Sequence, residues 1–427
     1  MPAWQRTLWI LFFSRMVTAI GFSIIFPFLP LYVAHLGSSS GLSIEFLAGA
    51  VFSAQALTMM IASPFWGTIA DRYGRKLMVQ RSMFGGAFIM GMMAFAINAE
   101  QLVLLRAIQG LITGVASATN ALVASTVPRH RMGYAMGIIQ LGAWIGTALG
   151  PLMGGIFSDA FGFQYTFLVT AFLLLVAGIL VQFGVHEEFQ PPSKVKEANN
   201  FLADWLHILN IKSVSLTFTL SFMSHLGRSF LLPIAPLVII SLLPPQAKNA
   251  ASITGLMTGI ASLSGTLSAV YFGRLGDRIG HRQVFIGGAL VTACSYLPQA
   301  FVSNVWQLIA LQALAGAGAG SILPSLSALL ATYTKPDEAG IVYGLENSIM
   351  ASSRVIAPLI SSAFALWFGL RSIFILTAVL FFLAVLLAIR FLSPPSGHEQ
   401  TTSHSTHVFK FRRVHSQNHS ALSKALS

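Results

Sequence analysis

Gly67-Thr-Ile-Ala-Asp71-Arg72-Tyr-Gly74-Arg75-Lys76 returns 206 positions later as Gly273-Arg-Leu-Gly-Asp277-Arg278-Ile-Gly280-His281-Arg282. Each copy is a charged segment bracketed by glycines and set between long apolar stretches. A repeat of this kind at one offset marks an internally duplicated membrane protein. The duplication extends beyond the loop. Gly21-Phe-Ser23-Ile-Ile-Phe-Pro27-Phe-Leu-Pro30-Leu31 aligns with Gly227-Arg-Ser229-Phe-Leu-Leu-Pro233-Ile-Ala-Pro236-Leu237, and Gly110 and Gly114 align with Gly316 and Gly320. After one inserted residue, Gly137, Pro151, Gly162, Phe167, Thr170 and Ala171 align with Gly344, Pro358, Gly369, Phe374, Thr377 and Ala378.

The 427 residues are 55% hydrophobic and only 9% charged, whereas a soluble chain carries about 25% charged residues. The apolar residues form blocks near 7–33, 46–69, 77–97, 101–126, 133–157, 163–185, 212–241, 250–273, 283–302, 306–332, 340–366 and 371–392. A helix needs roughly 20 residues to cross a bilayer. Backbone groups in lipid must be satisfied internally, and the blocks lack period-two alternation, so helices are expected and not barrel strands. The expected fold is an all-α integral membrane protein: twelve transmembrane helices in two pseudo-symmetric six-helix bundles, residues 1–185 and 212–392. Residues 186–211 read as a cytoplasmic linker whose stretch 201–209 forms either a short amphipathic surface helix or an early start to the seventh span. Residues 393–427 read as a disordered, basic, His-rich cytoplasmic tail.

The formal charge of +12 could suggest nucleic acid, but its distribution excludes that. With both termini inside, 19 of the 25 Lys and Arg fall in cytoplasmic loops and ends. Lys248 and Arg371 fall outside, and Arg15, Arg106, Arg228 and Arg354 fall within spans. This is the positive-inside pattern, with anionic lipid headgroups as partners of the excess base. The single Cys294 permits no intramolecular disulfide. The tail histidines fit no fixed metal-site spacing, so neither a metal nor a cofactor is expected. The first apolar block is too long for a signal-peptide core.

Further stretches, namely Pro27-Phe-Leu-Pro30-Leu-Tyr32-Val, Ser63-Pro-Phe-Trp66-Gly67, Asn120-Ala-Leu-Val-Ala and Gly150-Pro151-Leu-Met-Gly154-Gly155, accompany the loop motif. In this order they resemble the major facilitator superfamily and, within it, the twelve-helix drug:proton antiporters. The resemblance covers about residues 7–392. It implies a monomeric bacterial inner-membrane transporter that exchanges protons for a small molecule by alternating access, without enzymatic activity. It implies that the first, fourth, seventh and tenth spans line a cavity, while the second, fifth, eighth and eleventh form a rocking interface.

The motifs carry separate expectations. Gly67 allows close helix approach and Gly74 a tight turn. Asp71, Arg72 and Arg75 stand where a carboxylate can meet a helix N-terminus or a guanidinium, and the resemblance implies a gate latch between the second and eleventh spans. The second copy keeps Asp277 and Arg278 but has His281 in place of Arg75, so a weaker latch is expected. Gly137, Gly146, Gly150, Pro151, Gly154 and Gly155 give the fifth span one flat face with a bend point. The resemblance makes this the antiporter motif, which points to export, with the fifth span rocking against a partner in the other half.

Arginine within a span is costly and faces protein or a water-filled cavity. For Arg106 the resemblance implies an influence on proton transfer, and a structural arginine bonded to backbone carbonyls stands equally beside that reading. Glu346 is the one acid placed securely inside a span. In a partly dry cavity such a carboxylate can load and release a proton near neutral pH, which makes Glu346 the candidate coupling residue; a fixed ion pair with an arginine is the alternative. Arg15, Arg228 and Arg354 leave the interior net positive, so a neutral or anionic amphiphile is expected, such as a phosphonate antibiotic or a carboxylate siderophore. Phe22, Phe26, Trp144 and Phe222 could supply an apolar wall, and Gln140 and Met350 join them as cavity candidates. A proton-linked importer of an anionic nutrient is the nearest alternative.

Overall fold

The computed structural model describes residues 3–113, 119–120, 122–123, 126–128, 131–185, 187, 207–244, 246–334 and 338–392. Side chains at 3, 64, 67, 68, 71, 72, 339 and 340 lie outside the description, as do the expected linker helix at 201–209, apart from residues 207–209, and the tail.

The described residues form thirteen helices: α1 Ala3–Ser23, α2 Leu29–Leu36, α3 Ile44–Tyr73, α4 Arg75–Met93, α5 Ala99–Ile112, α6 Met132–Phe161, α7 Phe163–Gly184, α8 Lys212–Leu242, α9 Ala250–Ile279, α10 His281–Gln299, α11 Val305–Tyr333, α12 Ala339–Phe368 and α13 Ser372–Phe391. Together α1 and α2 make the first span, and α3 to α13 supply the other eleven. Eight of these helices are long and apolar enough to cross a bilayer on length and composition alone.

The first span is not the continuous helix expected over 7–33. It breaks between Ser23 and Leu29. Pro27 has no N–H to give and its ring crowds the carbonyl of Ser23, so the helix stops there and restarts with Pro30 in the first turn of α2. The aligned Pro233 and Pro236 lie within the unbroken α8.

The duplication reaches individual hydrogen bonds. Asn98 and Asn304 both cap a helix, accepting from the amides of Gln101 and Trp306, each at 2.8 Å. Gln101 and Gln307 reach back to the amides of Ile97 and Ser303 at 2.9 and 3.2 Å. These reciprocal bonds satisfy amides that a helix start leaves open. Thr58 donates to the Ala107 carbonyl at 2.7 Å, and Ser264 donates to that of Ala313 at 2.8 Å. Lys76 Nζ binds the Gln182 carbonyl at 2.8 Å, and Arg282 Nη2 binds that of Ile389 at 2.9 Å. Gly74 and Gly280 both adopt φ of 99°, a left-handed turn open to glycine at no steric cost.

Packing follows the same symmetry. Within the first half α1 packs on α6, α3 on α5 and α4 on α7; within the second, α8 packs on α12, α9 on α11 and α10 on α13. Two main seams join the halves, α3 with α12 and α6 with α9, and α8 also meets α2 and α3. The seams are one contact used twice. Gly49 lies against the Pro358 carbonyl, and its counterpart Gly255 lies against the carbonyl of Pro151.

Both seams close only at the end of the bundle opposite residues 3 and 391. On α6 the seam face runs through Gly155, Pro151, Ala148, Trp144, Gln140 and Gly137, positions three or four apart that share one face of a helix. Gly155 touches the Ala251 carbonyl, and a Cβ on Gly259 would lie 3.5 Å from that of Ala148. Beyond this point Trp144 and Gln140 are exposed and nothing approaches Gly137. On α12, Ser53 of α3 bonds the Val355 carbonyl at 2.6 Å, whereas Gly344 has open space around it. A cleft between the halves therefore opens toward the end that holds residues 3 and 391.

Candidate functional site

The cleft floor is cationic. Arg228 sits at the middle of α8 and Arg354 at the middle of α12, two helices that pack on each other. Both side chains are exposed. Arg228, Arg354 and His225 lie within charge–charge range of one another, and Arg228 lies in range of the buried Tyr296. Their exposure is therefore to the space between helices and not to lipid. Among the described residues no ion pair joins Arg15, Arg106, Arg228 or Arg354 to a carboxylate; the two ion pairs present involve His207 with Glu338 and His281 with Asp277. Bringing guanidiniums together in a poorly solvated interior raises their energy, and a bound anion lowers it.

Glu346 is half-buried on α12, two turns from Arg354, and forms no ion pair with an arginine among the described residues. Met350 lies between Glu346 and Arg354 and is half-buried, as are Arg15, Phe22, Phe26 and Phe222. Phe26 and Phe222 pack against the hydrophobic core. Phe26 also meets Phe52 at 6.0 Å between ring centroids.

Arg106 stands apart from this group. It is 1% exposed. Its Nε donates to the Val51 carbonyl at 3.2 Å and its Nη1 to Gln109 Oε1 at 2.6 Å. The guanidinium carbon lies 5.9 Å from the centre of the Phe52 ring. Arg106 thus ties α5 to α3 within one half. Arg81 is a further arginine inside a helix, near the start of α4. It stacks 3.4 Å from the centre of the Trp66 ring, and Trp66 Nε1 bonds the Leu111 carbonyl at 2.6 Å.

The glycine face of α6 requires a correction. Gly146, Gly150 and Gly154, together with Gly142, meet the backbone or Ser23 of the first span in the same half. Ser23 Oγ adds a bond to the Gly146 carbonyl at 3.1 Å. Only Gly155 and Pro151 meet the other half, and Gly137 meets nothing. Glycines four apart share a face, and that face points at α1, while Gly155 is turned about 100° away toward α9.

At the loop motif Gly67 lies within α3, and the side chains of Asp71 and Arg72 lie outside the described residues. The amides of Arg75 and Lys76, at the start of α4, donate to the two carboxylate oxygens of Glu187 at 3.0 and 2.7 Å. The carboxylate on this helix N-terminus is Glu187, which no motif pointed to. In the second copy His281 Nε2 lies 3.3 Å from Asp277, while Arg278 is exposed.

At the sealed end Glu100 clasps the loop after α2. Its carboxylate accepts from Ser40 Oγ at 2.6 Å, from the amides of Ser39 and Ser40 at 3.0 Å, and from Ser38 Oγ at 2.8 Å. The bonds from the Ser40 side chain and amide, then Ser38, hold this carboxyl well below the usual glutamate range. A lowered carboxyl contributes stability in full above the ordinary value of about 4.3. The contribution fades as pH falls below that and vanishes beneath the depressed value. A pH series of thermal melts is therefore expected to show Glu100→Gln below wild type by a constant margin at neutral pH, with the gap closing only below about pH 4.

The sequence profile of the Major Facilitator Superfamily matches residues 11–221 and 217–424. The chain belongs to the major facilitator superfamily. It is 36% identical over 375 residues to the multidrug resistance protein MdtG of Salmonella dublin, covering 88% of this chain and 92% of that protein. It is 36% identical over 393 residues to MdtG of Proteus mirabilis, covering 92% and 97%. The fold matches the nucleoside transporter NupG, solved as a point mutant, with TM-score 0.73 and 14% identity over 90% of this chain and all of the other. It also matches a bacterial homologue of the human lysosomal transporter Spinster, solved inward-facing and unoccupied, with TM-score 0.75 and 12% identity over 92% and 98%. This superfamily member is thus a multi-pass transporter of the bacterial inner membrane that acts on small molecules.

Proposed function

We propose that this transporter exports a small amphiphilic molecule, neutral or anionic, in exchange for protons. The observation that carries the substrate reading is the pair Arg228 and Arg354, exposed to the cleft without a carboxylate in ion-pair contact among the described residues. The names of the MdtG relatives support efflux of drugs. Residues 1–185 and 212–392 act as the two rocking halves, with 186–211 as linker. The distribution of Lys and Arg puts both termini in the cytoplasm, so the cleft faces inward. Glu346, on α12 between its first turn and Arg354, takes up the coupling proton. Arg106 holds α5 on α3 and acts on coupling through that packing. The protein works as a monomer.

Inverted membrane vesicles test this reading. Under an acid-inside gradient they are expected to accumulate a labelled phosphonate or carboxylate siderophore, and not a lipophilic quaternary cation. Glu346→Gln is expected to retain binding by the purified protein while losing gradient-driven accumulation. Full proton-driven transport by that variant would remove Glu346 from its role, and accumulation by whole cells would instead favour import.

A further inference from the structure

The two seams are related by the internal repeat, yet at one of them a carboxylate bonds across to a backbone amide of the other half. Asp159, one turn beyond Gly155 on α6, accepts a hydrogen bond from the Ser252 amide through Oδ2 at 2.6 Å. Ser252 is in the first turn of α9, across the boundary between the halves. A helix start has amides without intrahelical partners and a partial positive charge, and both favour a carboxylate there. The counterparts at the other seam are Leu366 and Phe46, which can form no such bond. That seam is instead closed by Gly49 against α12 and by Ser53 on the Val355 carbonyl.

We infer that Asp159 is a gate residue, a one-sided latch that holds the halves together at the sealed end and sets how often that end opens. The seam brings backbones together through glycine contacts, with Gly155 on Ala251 and Gly255 on Pro151. Opening must also break the charge-assisted bond between Asp159 and the Ser252 amide. Opening ruptures the bond and returns both partners to water, whereas closure restores it. Asp159 acts through α9 and needs no contact with substrate. The inference requires only rocking halves, so it stands or falls apart from the substrate and the proton site.

The test reads the other seam, where Asp159 itself makes no contact. Ser362 is fully buried there and lies against Gly49. In a Cys294→Ser background, Ser362→Cys places one thiol behind the closed seam. Its labelling by a maleimide, on purified protein in lipid discs, counts the fraction of time the sealed end is open. Asp159→Ala is expected to raise the labelling rate on the order of tenfold, the factor for losing a hydrogen bond to a charged group. Asp159→Asn keeps the acceptor and the shape but loses the charge, so it is expected to raise the rate by a smaller factor. A local structural role would loosen α9 without moving a thiol at the far seam. Unchanged labelling in both variants, or in Asp159→Asn if only that one folds, overturns the inference.

Discussion

Replacing Arg228 and Arg354 by alanine is expected to abolish binding of an anionic substrate while leaving the protein as stable as before, or more so. Each guanidinium that hydrogen-bonds a bound anion contributes about 1.5–3 kcal/mol, so each single variant loses roughly 10- to 150-fold in affinity. The stability prediction runs the other way. The two arginines lie within charge range of each other and of His225, and removing one relieves repulsion between like charges. A purely structural arginine would show the reverse pattern, with lower thermal stability and any loss of binding following from it. Thermal melts with and without a phosphonate or carboxylate ligand separate the two. Equal losses for a neutral and an anionic ligand would end the assignment of these residues to charge recognition.

Within one glycine motif, Gly154→Val is expected to prevent accumulation of folded protein, whereas Gly137→Val is expected to be tolerated. A Cβ on Gly154 would run into the Ile24 carbonyl, while one on Gly137 meets nothing within 4 Å. Ile24 lies at the break of the first span, and its backbone is held by a 2.8 Å bond to the Ile20 carbonyl. It cannot yield without moving α1 off α6. Overpacking of this kind costs about 1–3 kcal/mol for added methylenes, and a backbone collision lies at or above the upper end. Size-exclusion profiles of the two variants, extracted in detergent, are the measurement. A monodisperse Gly154→Val protein would show that the α1–α6 contact is not needed for folding.

The twelve spans, the duplication and the charged loops were legible because each rests on local chemistry. Apolar length decides whether a helix can cross lipid, and a repeat at fixed offset is visible without any structure. The break at Pro27 was the exception, since the sequence shows the same prolines at 233 and 236 inside a continuous helix. Proline removes one hydrogen bond in either place, and the surrounding packing decides whether the helix bends or stops. The arginines were found because a charge in an apolar block stands out. Asp159 and Glu187 were not found. Both lie at span ends, where acids are ordinary, and their importance comes from a helix N-terminus that belongs to another part of the chain.

Composition and periodicity determined on their own that this is a duplicated twelve-helix membrane protein with a positively charged interior, because those properties depend on transfer between water and lipid, residue by residue. The tertiary structure decided which face of α6 meets α1 and which meets α9, which end of the seams is closed, and which carboxylates cap foreign helices. Those features depend on the relative placement of segments up to about 300 residues apart, such as Ser53 and Val355. No local pattern encodes that placement; only the packed arrangement of backbones does.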